Sequence, residues 1–298
     1  MELITYNVCP CCGSPEIVPK LSVKDYVVSG QEFEIWECNE CSARFTQHVP
    51  GEQWISGYYQ SEGYISHTDT KKGFINSLYH IIRKRTLGEK KKLMEHAIGA
   101  HEGTLLDIGA GTGAFCRYMK NAGWKVVGLE PDDATRQRAY EIYGLLLYTT
   151  SELFVLRSGS YDAITMWHVL EHVHELHKYV EQVKNLLKAE GKAFIAVPNY
   201  NSYDASKYQE FWAAYDVPRH LYHFSPRSMR LLLEKHGMRV IDIKPMWYDS
   251  FYVSLLSEQY KAGKSNHLEA FTTGIRSNIK AIMNKEKCSS LIYIIEKI

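Results

Sequence analysis

The feature that most restricts this chain is a short apolar run that ends in an acid and breaks into glycines. Thr104-Leu105-Leu106-Asp107-Ile108 is followed at once by Gly109-Ala110-Gly111-Thr112-Gly113. A run of that length and composition reads as a buried parallel strand. Glycine is needed after it because the backbone must turn sharply and let a ligand approach closely. The pattern continues with a helix over about Ala114 to Ala122. A second strand, Lys125–Leu129, then ends in Glu130-Pro131. An acid at the tip of a second strand can accept hydrogen bonds from ribose hydroxyls. Gly109, Gly111 and Ala114 also satisfy a relaxed dinucleotide-binding fingerprint, so the loop alone leaves a dehydrogenase open. Asp107 argues against one, because the same position in a dinucleotide-binding strand is usually apolar.

The segment Tyr161-Asp162-Ala163-Ile164-Thr165-Met166-Trp167-His168-Val169-Leu170-Glu171-His172 decides between the two. With it, the chain resembles the class I S-adenosylmethionine-dependent methyltransferases over roughly residues 85–298. Leu105–Phe115 matches their first motif, Gly128–Pro131 the second-strand acid, and Asp162–His172 the fourth strand. The resemblance implies a seven-stranded doubly wound α/β sheet. It also implies that Gly109, Ala110, Gly111 and Gly113 wrap the methionine part of the cofactor, with Asp107 near its ammonium. Glu130 and Pro131 would border the ribose, Ser151 and Glu152 the adenine, and the backbone around Met166 and Trp167 the sulfonium. A cationic cofactor suits such carboxylates and carbonyls better than the amide cradle of a dinucleotide site.

A fifth strand, Lys192–Val197, ends at Pro198-Asn199, and ligands gather beyond the carboxyl ends of strands in open α/β sheets. The long polar and aromatic stretch that follows is therefore the expected acceptor side. Within it, Asp216-Val217-Pro218-Arg219-His220-Leu221-Tyr222-His223-Phe224-Ser225 resembles a segment of a bacterial subgroup of these enzymes, many of which serve sugar, polysaccharide or secondary-metabolite pathways. Imidazole titrates near neutrality, so His220, His223 and His168 are the candidate general bases, with His220 preferred. Arg219 would hold an anionic acceptor or pair with Asp216. Ser225-Pro226 starts a helix to about His236, Met238–Lys244 reads as a sixth strand, about Tyr252–Lys285 as helical, and Ser290–Glu296 as the closing strand.

Five of the seven cysteines fall in the first 41 residues. Cys9 with Cys12, and Cys38 with Cys41, form two C-x-x-C pairs around strand-like stretches such as Gln31–Trp36. Two such knuckles complete the closed tetrahedral shell of structural zinc. Cys11 is a competing thiol. The chain thus divides into a zinc-ribbon module at 1–50, a helical connector or cap at 51–100, and the methyltransferase domain at 101–298.

Residues 1–50 carry three basic residues against seven acidic ones, and the formal net charge of the chain is +1. Both oppose nucleic-acid binding. A basic stretch at 71–92, made of Lys71, Lys72, Arg83, Lys84, Arg85, Lys90, Lys91 and Lys92 against Glu89, reads as a solvated helix face or as a landing patch for a phosphorylated acceptor. No run approaches the roughly 20 apolar residues of a membrane span, and the first residues lack a signal-peptide pattern, so a cytoplasmic location is expected. The leading expectation is methylation of a small-molecule acceptor such as a sugar or nucleotide sugar. An RNA methyltransferase, or a non-catalytic module that binds the cofactor or a partner, stands behind it.

Overall fold

The structure, a computed structural model, describes residues 2–59, 74–264 and 266–298; the side chains of 74–84 fall outside the description. Tyr64, His67, Lys71 and Lys72 of the connector therefore lie outside the described residues, as do the side chains of Arg83 and Lys84.

The N-terminal region opens with β1 (Leu3–Ile4), β2 (Ile17–Lys24), β3 (Glu32–Cys38), β4 (Arg44–Thr46) and β5 (Val49–Pro50). Strands β2 and β3 pair antiparallel, and alternate β3 residues Phe33 and Ile35 are buried, as a half-covered hairpin requires. A short turn of helix, α1 (Glu52–Ile55), leads on, and α2 (Phe74–Ile98) is the long helix in front of the main sheet.

The body is α/β. It comprises β6 (Thr104–Ile108), α3 (Ala114–Asn121), β7 (Lys125–Leu129), α4 (Asp133–Tyr143), β8 (Tyr161–Trp167), α5 (Leu176–Leu186) and β9 (Leu187–Pro198). After the acceptor-side segment come α6 (Tyr203–Tyr208), β10 (Tyr222–His223), α7 (Pro226–Lys235) and β11 (Met238–Pro245). Helices α8 (Asp249–Ala262) and α9 (His267–Met283) and strand β12 (Ser290–Lys297) close the chain. The central sheet has the order β11-β12-β9-β8-β6-β7. Strands β9, β8, β6 and β7 are parallel, and β12 enters antiparallel between β9 and β11. Leu105, Leu106, Ile108, Ala163, Ile164, Met166 and Phe194 are essentially inaccessible to solvent, because helices cover both faces of the parallel strands.

Among the described residues, the central sheet has six strands where seven are expected. Beside β7, the described residues offer only the bridge Leu129↔Tyr148, with Tyr148 N–H donating to the Gly128 carbonyl and Glu130 N–H to the Tyr148 carbonyl. Leu145 and Leu147 turn inward onto Cys116 and Ala139, and a 3-10 turn starts at Thr150, so the ladder ends after one pair. The expected single helical stretch near the C-terminus is also two helices. Gly263, in the left-handed conformation at φ 68°, ends α8.

The cysteine-bearing sheet does not stand apart. Its order is β10-β4-β3-β2, so a strand from the far end of the body completes it, with Tyr222 opposite Phe45 and His223 opposite Arg44. One hydrophobic cluster runs from Cys9, Cys38, Phe45 and Val49 through Tyr222 and Phe224 to Ile164 and Val197.

Candidate active site

The glycine loop is fixed from two sides. Gly109 N–H and Ala110 N–H both donate to the Leu129 carbonyl at 2.8 Å, which ties the loop to the tip of β7. Gly109 has φ 73°, and a Cβ there would lie 2.3 Å from Val169 Cγ2. Side-chain bulk is thus excluded on two counts. Gly113, at φ 76°, is the N-cap of α3.

Three charged groups surround the loop. Asp107 is buried on β6, with Oδ1 accepting from Thr165 Oγ1 at 2.6 Å and Oδ2 from Cys116 Sγ at 3.3 Å. Burial pushes its carboxyl up to about 6 in spite of those bonds. Glu130 accepts from Gly111 N–H at 2.9 Å and from Asp132 N–H at 3.1 Å, so the acid also braces the loop. Burial raises its carboxyl against those two bonds. The Pro131 carbonyl accepts from Arg136.

The third group was missed by the sequence reading. Lys90 of α2 turns inward, its Nζ 4.0 Å from the Trp167 ring centroid and 5.9 Å from that of Phe115. Burial draws its ammonium down to about 8, although Asp107 and Asp249 favour the charge. Its place within a basic stretch hid it. The signal was the spacing Leu87, Lys90, Met94, which puts the lysine on the helix's apolar face. Of its neighbours in that stretch, Arg85 pairs with Glu89 and Lys91 with Glu95. The indole Nε1 of Trp167 is buried without a partner among the described residues, while the Met166 side chain is core. Ser151 and Glu152 lie on the exposed 3-10 turn Thr150–Phe154.

These features fit S-adenosylmethionine. The loop excludes side chains, Lys90 is a cation for a carboxylate, the Trp167 donor awaits an acceptor, and two carboxylates favour cationic groups.

On the acceptor side, the three histidines have different surroundings. His168, at φ 57° just beyond β8, has Nδ1 3.3 Å from Glu171 Oε1 and Nε2 3.1 Å from Asp249 Oδ2. Burial opposes its charge, but the two carboxylates win and raise it to about 10. It is an imidazolium at neutral pH and has no lone pair to offer as a base. His223 is buried in the junction with the cysteine-bearing sheet, 3.1 Å from Thr46 Oγ1. Burial, His220 and Arg44 hold its imidazole neutral, so its role there is in packing. His220 is anchored by Nδ1 to the Ala214 carbonyl at 2.9 Å, and its ring lies 4.5 Å from that of His172. Arg219 does not face an acceptor. It is 1% exposed, bonds Asp216 through Nε and Nη2, Asp25 through Nη2 and the Tyr58 carbonyl through Nη1.

In the N-terminal region, Cys9, Cys12, Cys38 and Cys41 bring their sulfurs within 4.8 Å of one another. Cys9 and Cys41 sulfurs are 3.5 Å apart, Cys12 and Cys38 sulfurs 3.6 Å. Backbone N–H groups of Cys11 and Ala43 point at the sulfurs of Cys9 and Cys41, an orientation that suits thiolates. The Cys11 sulfur is outside this group of four.

The parallel sheet, its glycine loop and the acid beyond β7 define a class I S-adenosylmethionine-dependent methyltransferase fold. A family model described as a methyltransferase domain matches residues 79–243, over half of the chain, and the chain belongs to that family. A ubiquinone biosynthesis O-methyltransferase of Sodalis glossinidius is 32% identical over 116 residues, covering 37% of this chain and 47% of that protein. The C-methyltransferase NovU of Streptomyces niveus is 26% identical over 212 residues, 69% of this chain and 46% of that one. The chain thus spans about half the length of these curated relatives. The crystal structure of Burkholderia thailandensis 1,6-didemethyltoxoflavin-N1-methyltransferase shares the fold at TM-score 0.50 and 12% identity, over 92% of this chain and 99% of that one. Among the described residues, no helix is long and apolar enough to cross a membrane.

Proposed function

We propose that this chain transfers a methyl group from S-adenosylmethionine to an oxygen or carbon of a small-molecule acceptor, a sugar or nucleotide sugar being the first choice. The observation that carries the reading is the loop Gly109–Gly113, bonded to Glu130 and the Leu129 carbonyl, with the buried Asp107 two residues before it and Lys90 set over Trp167. When bound, the cofactor supplies an electrophilic methyl group. Lys90 holds its carboxylate, Glu130 takes the ribose hydroxyls, and Asp107 sets a negative field for its ammonium. Placing the acceptor close and in line accounts for much of the acceleration in such a transfer. His168, held protonated between Glu171 and Asp249, does not take the acceptor's proton. The relatives named for O-methyl and C-methyl transfer support a small acceptor. The acidic N-terminal region, and the intramolecular pairing of Arg85 and Lys91, weigh against RNA. Cys9, Cys12, Cys38 and Cys41 hold a structural zinc ion in this reading, with four thiolates and no open position.

The test is calorimetric titration with S-adenosylhomocysteine, followed by transfer of label from S-adenosylmethionine to a panel of nucleotide sugars, quinols and RNA. Micromolar binding and a labelled sugar support the proposal; labelled RNA alone, or no binding by folded protein, overturns it.

The pH dependence of that binding is a second check. Asp107 gains a proton as pH falls through about 6, and Lys90 loses one as pH rises through about 8. A ligand with an ammonium and a carboxylate favours the ionised form of each. Affinity is expected to peak between those values and to fall on both sides, by up to about tenfold per pH unit on each limb. Lys90→Met should remove the alkaline limb and leave the acid one. A flat profile between pH 5 and 9 would refute both assignments.

A further inference from the structure

Glu171, the half-buried His172 and His220 converge beside the acceptor segment. Glu171 is fully buried, and its Oε2 has no partner among the described residues. His172 Nδ1 lies 3.0 Å from the Arg219 carbonyl, and His220 Nδ1 lies 2.9 Å from the Ala214 carbonyl. A carbonyl only accepts, so the Ala214 carbonyl places the ring proton of His220 on Nδ1, with Asp216 Oδ2 3.9 Å from its Nε2, while His172 Nδ1 lies between the Arg219 carbonyl and the Tyr59 hydroxyl, 3.0 Å from each. One ligand atom from each of Glu171, His172 and His220 lies within 4.8 Å of the other two. A buried carboxylate oxygen with no partner is costly unless a cation or a donor joins it. A backbone carbonyl behind each imidazole is the outer support that fixes metal-binding histidines.

We propose that Glu171, His172 and His220 bind a divalent transition-metal ion, at a site distinct from the four cysteines. Two imidazoles and one carboxylate suit zinc, manganese, iron(II) or cobalt. Ligand atoms around such an ion stand about 3.4 Å apart in a tetrahedral shell, so the three side chains close by small rotations. The 3-10 turn Leu170–His172 supplies two ligands and the segment Asp216–His220 the third, which joins the end of β8 to the acceptor side. Three protein ligands leave a position open. An acceptor hydroxyl bound there loses its proton to solvent more readily, and its oxygen is left as the nucleophile. His220 then serves as a ligand and not as a base. His168 is excluded as a ligand, since carboxylates face both of its nitrogens. The acceptor's part in this rests on the methyl-transfer reading; the metal site itself does not.

The experiment is titration of Mn²⁺ into full-length protein whose cysteine site is already filled with zinc, read by calorimetry and by electron paramagnetic resonance. One manganese site is expected in the wild type. His172→Gln and His220→Gln should each weaken it at least about tenfold, and His177→Gln, at a histidine pair elsewhere, should leave it unchanged. Circular dichroism identifies a variant that fails to fold, and the other variant then carries the test. No manganese binding by the wild type, or binding that neither variant alters, overturns the site. S-adenosylhomocysteine binding without manganese binding would sink the metal site and leave methyl transfer standing. Manganese binding sensitive to both variants, with no S-adenosylhomocysteine binding, would do the reverse.

Discussion

Gly109→Ala is expected to abolish cofactor binding, lowering S-adenosylhomocysteine affinity at least about 100-fold, and to lower the melting temperature as well. The alanine meets two separate costs. Its backbone must hold φ 73°, which costs an L-residue about 1–2 kcal/mol. Its Cβ must also find room where Val169 Cγ2 is only 2.3 Å away. The loop cannot retreat, because Gly109 and Ala110 are both bonded to the Leu129 carbonyl. Val169 must move instead, and it lies between Trp167 and the turn Leu170–His172. One methyl group therefore disturbs both the cofactor loop and the Glu171–His172 cluster. Gly123→Ala is the control. Gly123 also has positive φ, at 96°, but nothing lies within 4 Å of its Cβ position. It should show the backbone cost alone, a fall of about 2–8 °C with unchanged ligand affinity. Equal effects of the two substitutions on binding would refute the steric account.

The contrast between these glycines shows what a sequence makes legible. Local rules located β6 and β7 to the residue, because buried parallel strands are written as unbroken apolar runs. They also located Gly109 and Glu130, because turn geometry and strand tips have characteristic residues. The missing seventh strand was not legible. Leu145-Leu146-Leu147-Tyr148 has strand composition, and only the nearby 3-10 turn and the inward packing of Leu145 and Leu147 limit it to one bridge. The histidines are a clearer case. His168, His220 and His223 are equivalent as letters near an acceptor segment. What separates them is long-range: Asp249 is 81 positions away from His168, and Thr46 is 177 from His223. Lys90 was obscured for a related reason. Charge runs are usually solvated, and only the packing of α2 on the sheet shows which lysine is not.

Long-range contacts of the same kind predict the consequence of losing the zinc proposed for the cysteine site. Cys38→Ser, or chelation at neutral pH, is expected to disorder the acceptor segment while leaving the glycine loop's ligand contacts in place. The N-terminal sheet is the surface on which that segment is built. Strand β10 pairs with β4, Thr46 Oγ1 donates to the His220 carbonyl at 2.8 Å, and Ser42 and Ser225 hydroxyls lie 2.7 Å apart. Arg219 is held by Asp25 on one side and Asp216 on the other, both at hydrogen-bond distance in a buried setting. If the N-terminal sheet opens, Arg219 and Asp216 lose their buried partner, a change that typically costs about 3–5 kcal/mol when one member is removed. The cysteines pack into the core cluster that runs through Phe45, Tyr222 and Phe224, and a zinc ion held as proposed would add its binding energy to that packing. Hydrogen exchange should therefore accelerate at least about 100-fold across residues 213–225 in the metal-free protein, with little change in β6 and β7. S-adenosylhomocysteine affinity should fall by no more than about tenfold, because Asp107, Glu130 and Lys90 make none of these contacts. Arg219→Met, with zinc retained, should reproduce the exchange pattern around His220 on a smaller scale. Unchanged exchange in that segment after metal removal would mean that the body holds its acceptor side alone, and that the cysteine sheet has another purpose.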